Sequence, residues 1–333
     1  MMQDQKEKTD NGTGFDTLVV ITPRDFIRLR SNYGRLLKWL PSRQVIFVGN
    51  SEVGDLTEEL RDDREISGMN VSGRISFINE NDIIPFDRVH AVIEERMRNM
   101  LKGRELPRGI TGWYYQQFLK MEYSAICKDE YYMSWDGDTV PCGSFNMFKE
   151  DGKPFLDLKH EYNELYFTTM GRLIPGLKKF VEASFISEHM LFRCDIMRSL
   201  IKKIESNGDI EGERFYEKII NSIPADDIQG NGFSEFETYG SFVCMTNPNA
   251  YRLREWHSFR LAGEFFDPDR ITDEDYEWLS HDFEAVSFEK GMTVREDHKD
   301  LFDNKEYQSK LSARQMLEIA QEEFKEGYRE VWT

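Results

Sequence analysis

Between residues 17 and 135 short apolar runs alternate with amphipathic stretches four times, and this rhythm restricts the fold more than any other feature. The runs are 17–22 (TLVVIT), 44–49 (QVIFVG), 74–79 (RISFIN) and 131–135 (YYMSW). They are short, and rich in β-branched or aromatic residues, which predicts strands buried on both faces. Helices are predicted over 26–40, where Pro41 stops the pattern, over 89–101, and over 113–128. In the last of these Tyr114, Phe118, Met121 and Ala125 form one stripe. Such alternation predicts an α/β fold: a mostly parallel sheet flanked by helices, binding ligands at the carboxyl ends of its strands.

The remainder is less regular. A helix is predicted over 188–205, from Met190, Cys194, Met197, Ile201 and Ile204 at spacings of four and three. Residues 236–245 read as a strand. Ser312-Ala-Arg-Gln315 has the spacing of a capping box and opens a C-terminal helix, with Ala313, Leu317, Ala320 and Phe324 facing inward. Residues 1–14 read as a disordered tail, 15–300 as the α/β domain and 301–333 as a helical extension. Within the domain, 15–145 is the expected nucleotide-binding half and 146–300 the acceptor half.

The chain carries 43 Lys and Arg against 61 Asp and Glu, a net charge of −18. So acidic a surface repels phosphate backbones, and nucleic-acid binding is not expected. One small anionic ligand remains compatible where a bound divalent cation or a local basic pocket reverses the field. The four cysteines, Cys127, Cys142, Cys194 and Cys244, form no metal-binding or disulfide spacing and read as reduced, mostly buried thiols. No apolar run reaches transmembrane length, so a cytoplasmic location is expected, with any membrane association peripheral. The sequence leaves the oligomeric state open.

The main chemical signal is Asp136-Gly137-Asp138, directly after the fourth strand. Two carboxylates on a turn at a sheet edge can hold Mn²⁺ or Mg²⁺, whose remaining ligands come from phosphate oxygens. The rival reading is a plain Asp-Gly turn. Upstream, Gln116, Gln117 and Lys120 share one helix face, so Gln117 and Lys120 can reach a diphosphate there, or the face can simply be solvated. Ser187-Glu188-His189 reads either as a capped helix start or as a site. In the second case Glu188 is the general base and His189 an acceptor contact. In an extended Phe233–Gly240 segment, Glu235 and Glu237 would share a face and bind acceptor hydroxyls, unless they line a solvated edge strand. His257 is the candidate third metal ligand, against an ordinary surface or core histidine. Thr22 and Arg24 after the first strand, and Asn79 and Asp82 after the third, sit where a nucleotide would be held, and plain turns explain them equally.

Taken in order, TLVVITPRD, FINENDIIP, GWYYQQFLKM, WDGDTVP, FISEHMLF and FSEFETYG resemble bacterial GT-A-type glycosyltransferases of capsule, O-antigen or exopolysaccharide synthesis. The resemblance spans about residues 17–240. It implies a GT-A-like, Rossmann-like fold and a metal held by Asp136 and Asp138. It also implies a nucleoside-diphosphate sugar donor, a UDP-sugar, and a saccharide or lipid-linked saccharide acceptor. In inverting members of that class a carboxylate after the Asp-x-Asp element acts as base, and Glu188 matches that place. Two other readings stand beside it. A nucleotidyltransferase would make the sugar nucleotide, but Thr22-Pro-Arg-Asp25 lacks the usual glycine-rich loop. An acidic adaptor would use Asp136-Gly-Asp138 only as a turn.

Overall fold

The four apolar runs become the parallel core of one sheet in the structure, a computed structural model that describes residues 14–295, 302 and 304–324. The first half comprises β1 (Asp16–Val20), α1 (Pro23–Arg28), α2 (Tyr33–Trp39), β2 (Val45–Gly49), α3 (Ser51–Arg61), α4 (Arg64–Gly68), β3 (Ile75–Asn79), α5 (Glu80–Ile83), α6 (Phe86–Leu101), α7 (Arg108–Ile126) and β4 (Tyr131–Trp135). The second half adds β5 (Thr139–Pro141), β6 (Phe155–Leu158), α8 (Glu164–Leu173), β7 (His189–Arg193), α9 (Cys194–Glu205), α10 (Phe215–Ser222), α11 (Glu235–Thr246), β8 (Arg252–Glu255), β9 (Ser258–Phe259), α12 (Asp273–Leu279) and β10 (Ala285–Ser287). Helices at Lys305–Gln308 and Ala313–Phe324 follow.

The central sheet has the order β3-β2-β1-β4-β7. Its first four strands are parallel, and β7 is antiparallel to β4, with Trp135 opposite His189. Alternate side chains serve two cores: Leu18, Ile46 and Tyr132 enter the one built with α6, α7 and α9–α11. Val19, Phe47 and Met133 enter the other, shared with α2, β10 and the C-terminal helix. The sheet is thus covered on both faces by helices, as expected for a largely parallel sheet. A second sheet, β5-β10-β9, grows from the chain leaving β4.

Several boundaries differ from expectation for physical reasons. The helix expected over 26–40 is broken into α1 and α2 by a 3-10 turn at Arg30–Asn32. The helix expected from 188 begins only at Cys194. Residues 189–193 instead form an edge strand, because Met190 and Phe192 alternate with Leu191 between the two cores. Met190 and Cys194 lie four apart, which imitates a helical period across the strand–helix junction. The strand expected over 236–245 is α11, capped by Ser234, whose side chain accepts from Glu237 N. Ser234-x-x-Glu237 has capping-box spacing, a signal present in the sequence and outweighed there by the alternating pattern. The C-terminal capping box forms as expected, with Ser312 N donating to Gln315 and Gln315 N to Ser312 Oγ. The tail expected over 1–14 lies, apart from Gly14, outside the described residues, as do the side chains of Ala320 and Phe324. Among the described residues no helix is long and apolar enough to cross a membrane.

Within α11, Gly240 backs onto the ring of Phe185, so closely that an added Cβ would lie inside contact distance of the ring. Gly240→Ala is expected to cost about 1–3 kcal/mol by overpacking, more than alanine's helix propensity returns. Urea unfolding checks this, and an unchanged midpoint would refute the assigned packing.

Candidate active site

Strands β1, β2 and β3 step outward in one direction and β4 lies on the other side of β1, so the strand order reverses between β1 and β4. At such a switch point the carboxyl ends of the strands open a crevice. A cavity of about 570 Å³ lies there. Its walls include Val20–Thr22 after β1, Glu80 after β3, and Asp136–Asp138 after β4.

The Asp136–Asp138 corner is tightly built. Asp136 N donates to Glu188 O at 2.8 Å, and Thr139 N to Asp136 O at 3.1 Å. The fully buried Trp135 closes the turn by donating its indole N–H to Thr139 O at 2.7 Å. Gly137 is required by close approach: a Cβ there would come to 2.9 Å from Ile21 Cδ1, at the end of β1. Phe288 N donates to Asp138 O, tying the corner to β10. Burial, then the neighbouring Asp136 and Glu289 carboxylates, push the Asp138 pKa up to about 7 against the pull of Arg28.

Lys120 lies beneath this corner, only 3% exposed. Its ammonium donates to Asp136 Oδ1 and to Glu235 Oε1, both at 2.8 Å, and lies 4.5 Å from the Phe236 ring centroid. Burial alone would lower its pKa, but Asp136 and Glu235 outweigh burial and hold it above the ordinary value. Lys120, Asp136 and Glu235, read separately from three segments of sequence, are thus one ion cluster. Helix α7 supplies more. Arg108, Gly112 and Gln116, one turn apart on the face leading to Lys120, all line the cavity. At its aromatic end Arg108 stacks over Phe86, 4.0 Å from the centroid, beside Trp113 and Tyr115.

Other expected residues fall elsewhere. Gln117 is buried and orders the ion cluster, its Oε1 accepting from Glu235 N, while Gln116 faces the cavity. Thr22 lines the cavity and caps α1, but Arg24 is exposed outside it, and Arg28, one turn on, takes its place. Asn79 caps α5 and Asp82 points to solvent, whereas Glu80 reaches the cavity wall. Glu237 turns away to accept from Ser184 Oγ and Phe185 N. His189 is buried between Asp157 Oδ2 and Ser187 O, so it touches no open space.

Glu188 is not at a helix start. Ser187 Oγ donates to His189 O rather than capping a helix. The Glu188 carboxylate, 5% exposed, is held by Lys159 at 3.2 Å and Ser258 Oγ at 2.7 Å, and it is absent from the cavity wall. Its backbone sits in the left-handed region, φ 61°, a conformation that costs about 1–2 kcal/mol in a residue with a Cβ. The observed geometry makes Glu188 a support for Asp136, whose N–H it receives.

His257 is also displaced. Cys142 N donates to Glu284 O and Phe288 N to Asp138 O, so the β5–β10 ladder runs from the His257–Glu284 end to the Asp138 end. Four residues of strand separate them by about 13 Å. His257 lines a second cavity of about 650 Å³ with Arg35, Trp39, Asp273, Asp282 and Glu284. Among the described residues no three His, Cys, Asp or Glu side chains gather as a metal cage. Four carboxylates line the first cavity: Asp25 pairs with Arg28 and Glu80 faces Arg108, which leaves Asp136 and Asp138 as two hard oxygen donors on one turn. That suits a cation completed by ligand oxygens better than a resident structural metal.

A family model described as a family of unknown function matches residues 57–304. No curated protein is matched in sequence. Similar solved structures include mouse xyloside xylosyltransferase 1 in its apo form, at 13% identity and TM-score 0.43, covering 85% of this chain and 100% of that one. The galactosyltransferase LgtC with donor and acceptor sugar analogues matches at 12% identity and TM-score 0.38, covering 92% and 96%. The apo glycosyltransferase GlyE of Streptococcus pneumoniae matches at 10% identity and TM-score 0.39, covering 93% and 64%.

Proposed function

The chain belongs to that family, DUF6492, and we propose that it is a metal-dependent glycosyltransferase. Its donor is a nucleoside-diphosphate sugar, a UDP-sugar, and its acceptor a saccharide or lipid-linked saccharide of a bacterial surface polysaccharide. The observation that carries the reading is the Asp136-Gly-Asp138 corner, which faces a cavity of about 570 Å³ at the switch point of the sheet. Mn²⁺ or Mg²⁺ held by Asp136, Asp138 and the donor's diphosphate would neutralise charge on the departing nucleotide. It also explains how so acidic a chain accepts a diphosphate.

The chain's own residues do the rest. Two sets of side chains line the cavity: a charged set, in which Arg28 acts on Asp138 and which includes Asp136 and Lys290, and an aromatic set, in which Phe86 packs with Arg108 and Tyr115. The charged set suits a diphosphate and the aromatic set a flat base. Lys120 locks the Asp136 carboxylate in place and sets positive charge behind it, in a nearly dry setting where charge is weakly screened. Glu188 fixes the height of Asp136 through its carbonyl. The resemblance of the segments from 17–25 through 233–240 to polysaccharide transferases is what supports the choice of UDP and of the surface-polysaccharide setting.

Calorimetric titration with UDP, with and without Mn²⁺, tests this. Metal-dependent binding is expected, and no heat under either condition removes the transferase in favour of an adaptor. Release of pyrophosphate from a nucleoside triphosphate would instead mark a nucleotidyltransferase.

A further inference from the structure

Beyond the Asp136–Lys120–Glu235 cluster, on the side of α8, lies a group of exposed side chains that neither the fold nor the donor cavity uses. Tyr162 is 66% exposed, an unusual position for a large aromatic ring. It is also rigidly backed: its ring stacks on Phe167 at 5.3 Å with an interplanar angle of 24°. Lys179 approaches the same pair, 4.9 Å from the Phe167 centroid and 5.9 Å from that of Tyr162. An exposed ring held flat on a second ring offers a preorganised face at low entropic cost.

The position of this platform is fixed by its neighbours. Glu161 accepts from Arg260 Nη1 at 2.7 Å. Arg260 also pairs with Glu289 at 2.8 Å and lies 3.7 Å from Glu188 Oε1. Glu289 precedes Lys290 on the donor-cavity wall and acts on Asp138 through its charge. Tyr166, in the first turn of α8, has its pKa raised first by burial and then by the charges of Glu161 and Glu235, against the pull of Arg260. From Glu161, the residue beside Tyr162, Arg260 therefore links to Glu289, whose charge acts on Asp138, and to Glu188, whose carbonyl receives the N–H of Asp136.

We propose that Tyr162, backed by Phe167 and flanked by Glu161 and Arg260, is the platform on which a pyranose ring of the acceptor saccharide lies. The idea rests on the transferase reading and deepens it. The C–H face of a pyranose carries partial positive charge and packs on the negative face of an aromatic ring. Its rim of hydroxyls needs donors and acceptors at the edge, which Arg260 and Glu161 supply. The three groups first expected to hold the acceptor are all buried: Glu235 pairs with Lys120, Glu237 accepts from Ser184 and Phe185, and His189 lies between Asp157 and Ser187.

The test uses the full chain with UDP and Mn²⁺, probed on a printed array of defined neutral and acidic oligosaccharides. Wild type and Tyr162→Phe should retain the same glycans, and Tyr162→Ala should hold them about tenfold more weakly. UDP binding by calorimetry should be the same in all three. Tyr162→Ala that keeps wild-type glycan retention while binding UDP overturns the platform, and so does a wild type that binds UDP but retains no glycan. Failure of wild type to bind UDP strikes the transferase reading itself and is told apart by the calorimeter.

Discussion

Lys120→Met should destabilise the protein by about 3–5 kcal/mol and abolish metal-dependent nucleotide binding. The ammonium is buried between two carboxylates, and one of them, Glu235, is itself almost wholly buried. Removing one partner from a buried ionic cluster leaves uncompensated charge, which is the costly case. Burial pushes the Glu235 pKa up and Lys120 pulls it down, so loss of Lys120 drives Glu235 to bind a proton. A second substitution then separates stability from function. In Lys120→Met/Glu235→Leu the remaining buried charge is gone, and most of the lost stability should return. UDP binding should not return, because Asp136 has lost the ammonium that orients it. Urea unfolding reads the first quantity and calorimetry the second. A double variant that recovers both would mean that the cluster only holds the fold together.

The parallel sheet was legible because its inner strands are buried on both faces, so their apolar runs carry little competing signal. TLVVIT and QVIFVG can hardly be anything else once covered by helices. Lys120 and Asp136 were legible for a related reason: helical spacing and the end of a strand each fix where a side chain emerges. The errors cluster where one pattern imitates another. Glu235 and Glu237 alternate as in a strand, yet Ser234 caps them into a helix, which sends Glu235 to Lys120 and Glu237 to Ser184. Sequence names the residue type needed on a wall but not the turn of helix that faces it. Hence Arg28 for Arg24, Glu80 for Asp82 and Gln116 for Gln117. The displacement of His257 could not be read at all. It depends on the register of β10 between β5 and β9, set by long-range pairings such as Ala285 with Pro141 and Ala285 with Ser258.

Asp138→Ala should abolish sugar transfer and metal-dependent UDP binding while leaving the protein as stable as before, or more so. The sign follows from the carboxyl's environment. Its folded pKa, about 7, lies above the ordinary carboxylate value because burial, Asp136 and Glu289 all oppose its charge. A raised carboxyl pKa means the folded state binds more protons than the unfolded one. The stabilisation is therefore complete below the unfolded pKa, near 4, and is lost as pH rises through about 7. Above pH 7 the ionised Asp138 is a net burden on the fold without a cation beside it, on the order of 1–3 kcal/mol after allowance for its partial exposure. Alanine removes that burden. Urea unfolding at pH 6 and pH 8 should show wild type losing stability across the interval while Asp138→Ala loses less, and added Mn²⁺ with UDP should restore wild type alone. A residue that costs the fold stability and whose loss ends binding is held in place by function. Normal turnover in Asp138→Ala, or a variant clearly less stable than wild type at pH 8, would remove the metal-binding role from the Asp136-Gly-Asp138 corner.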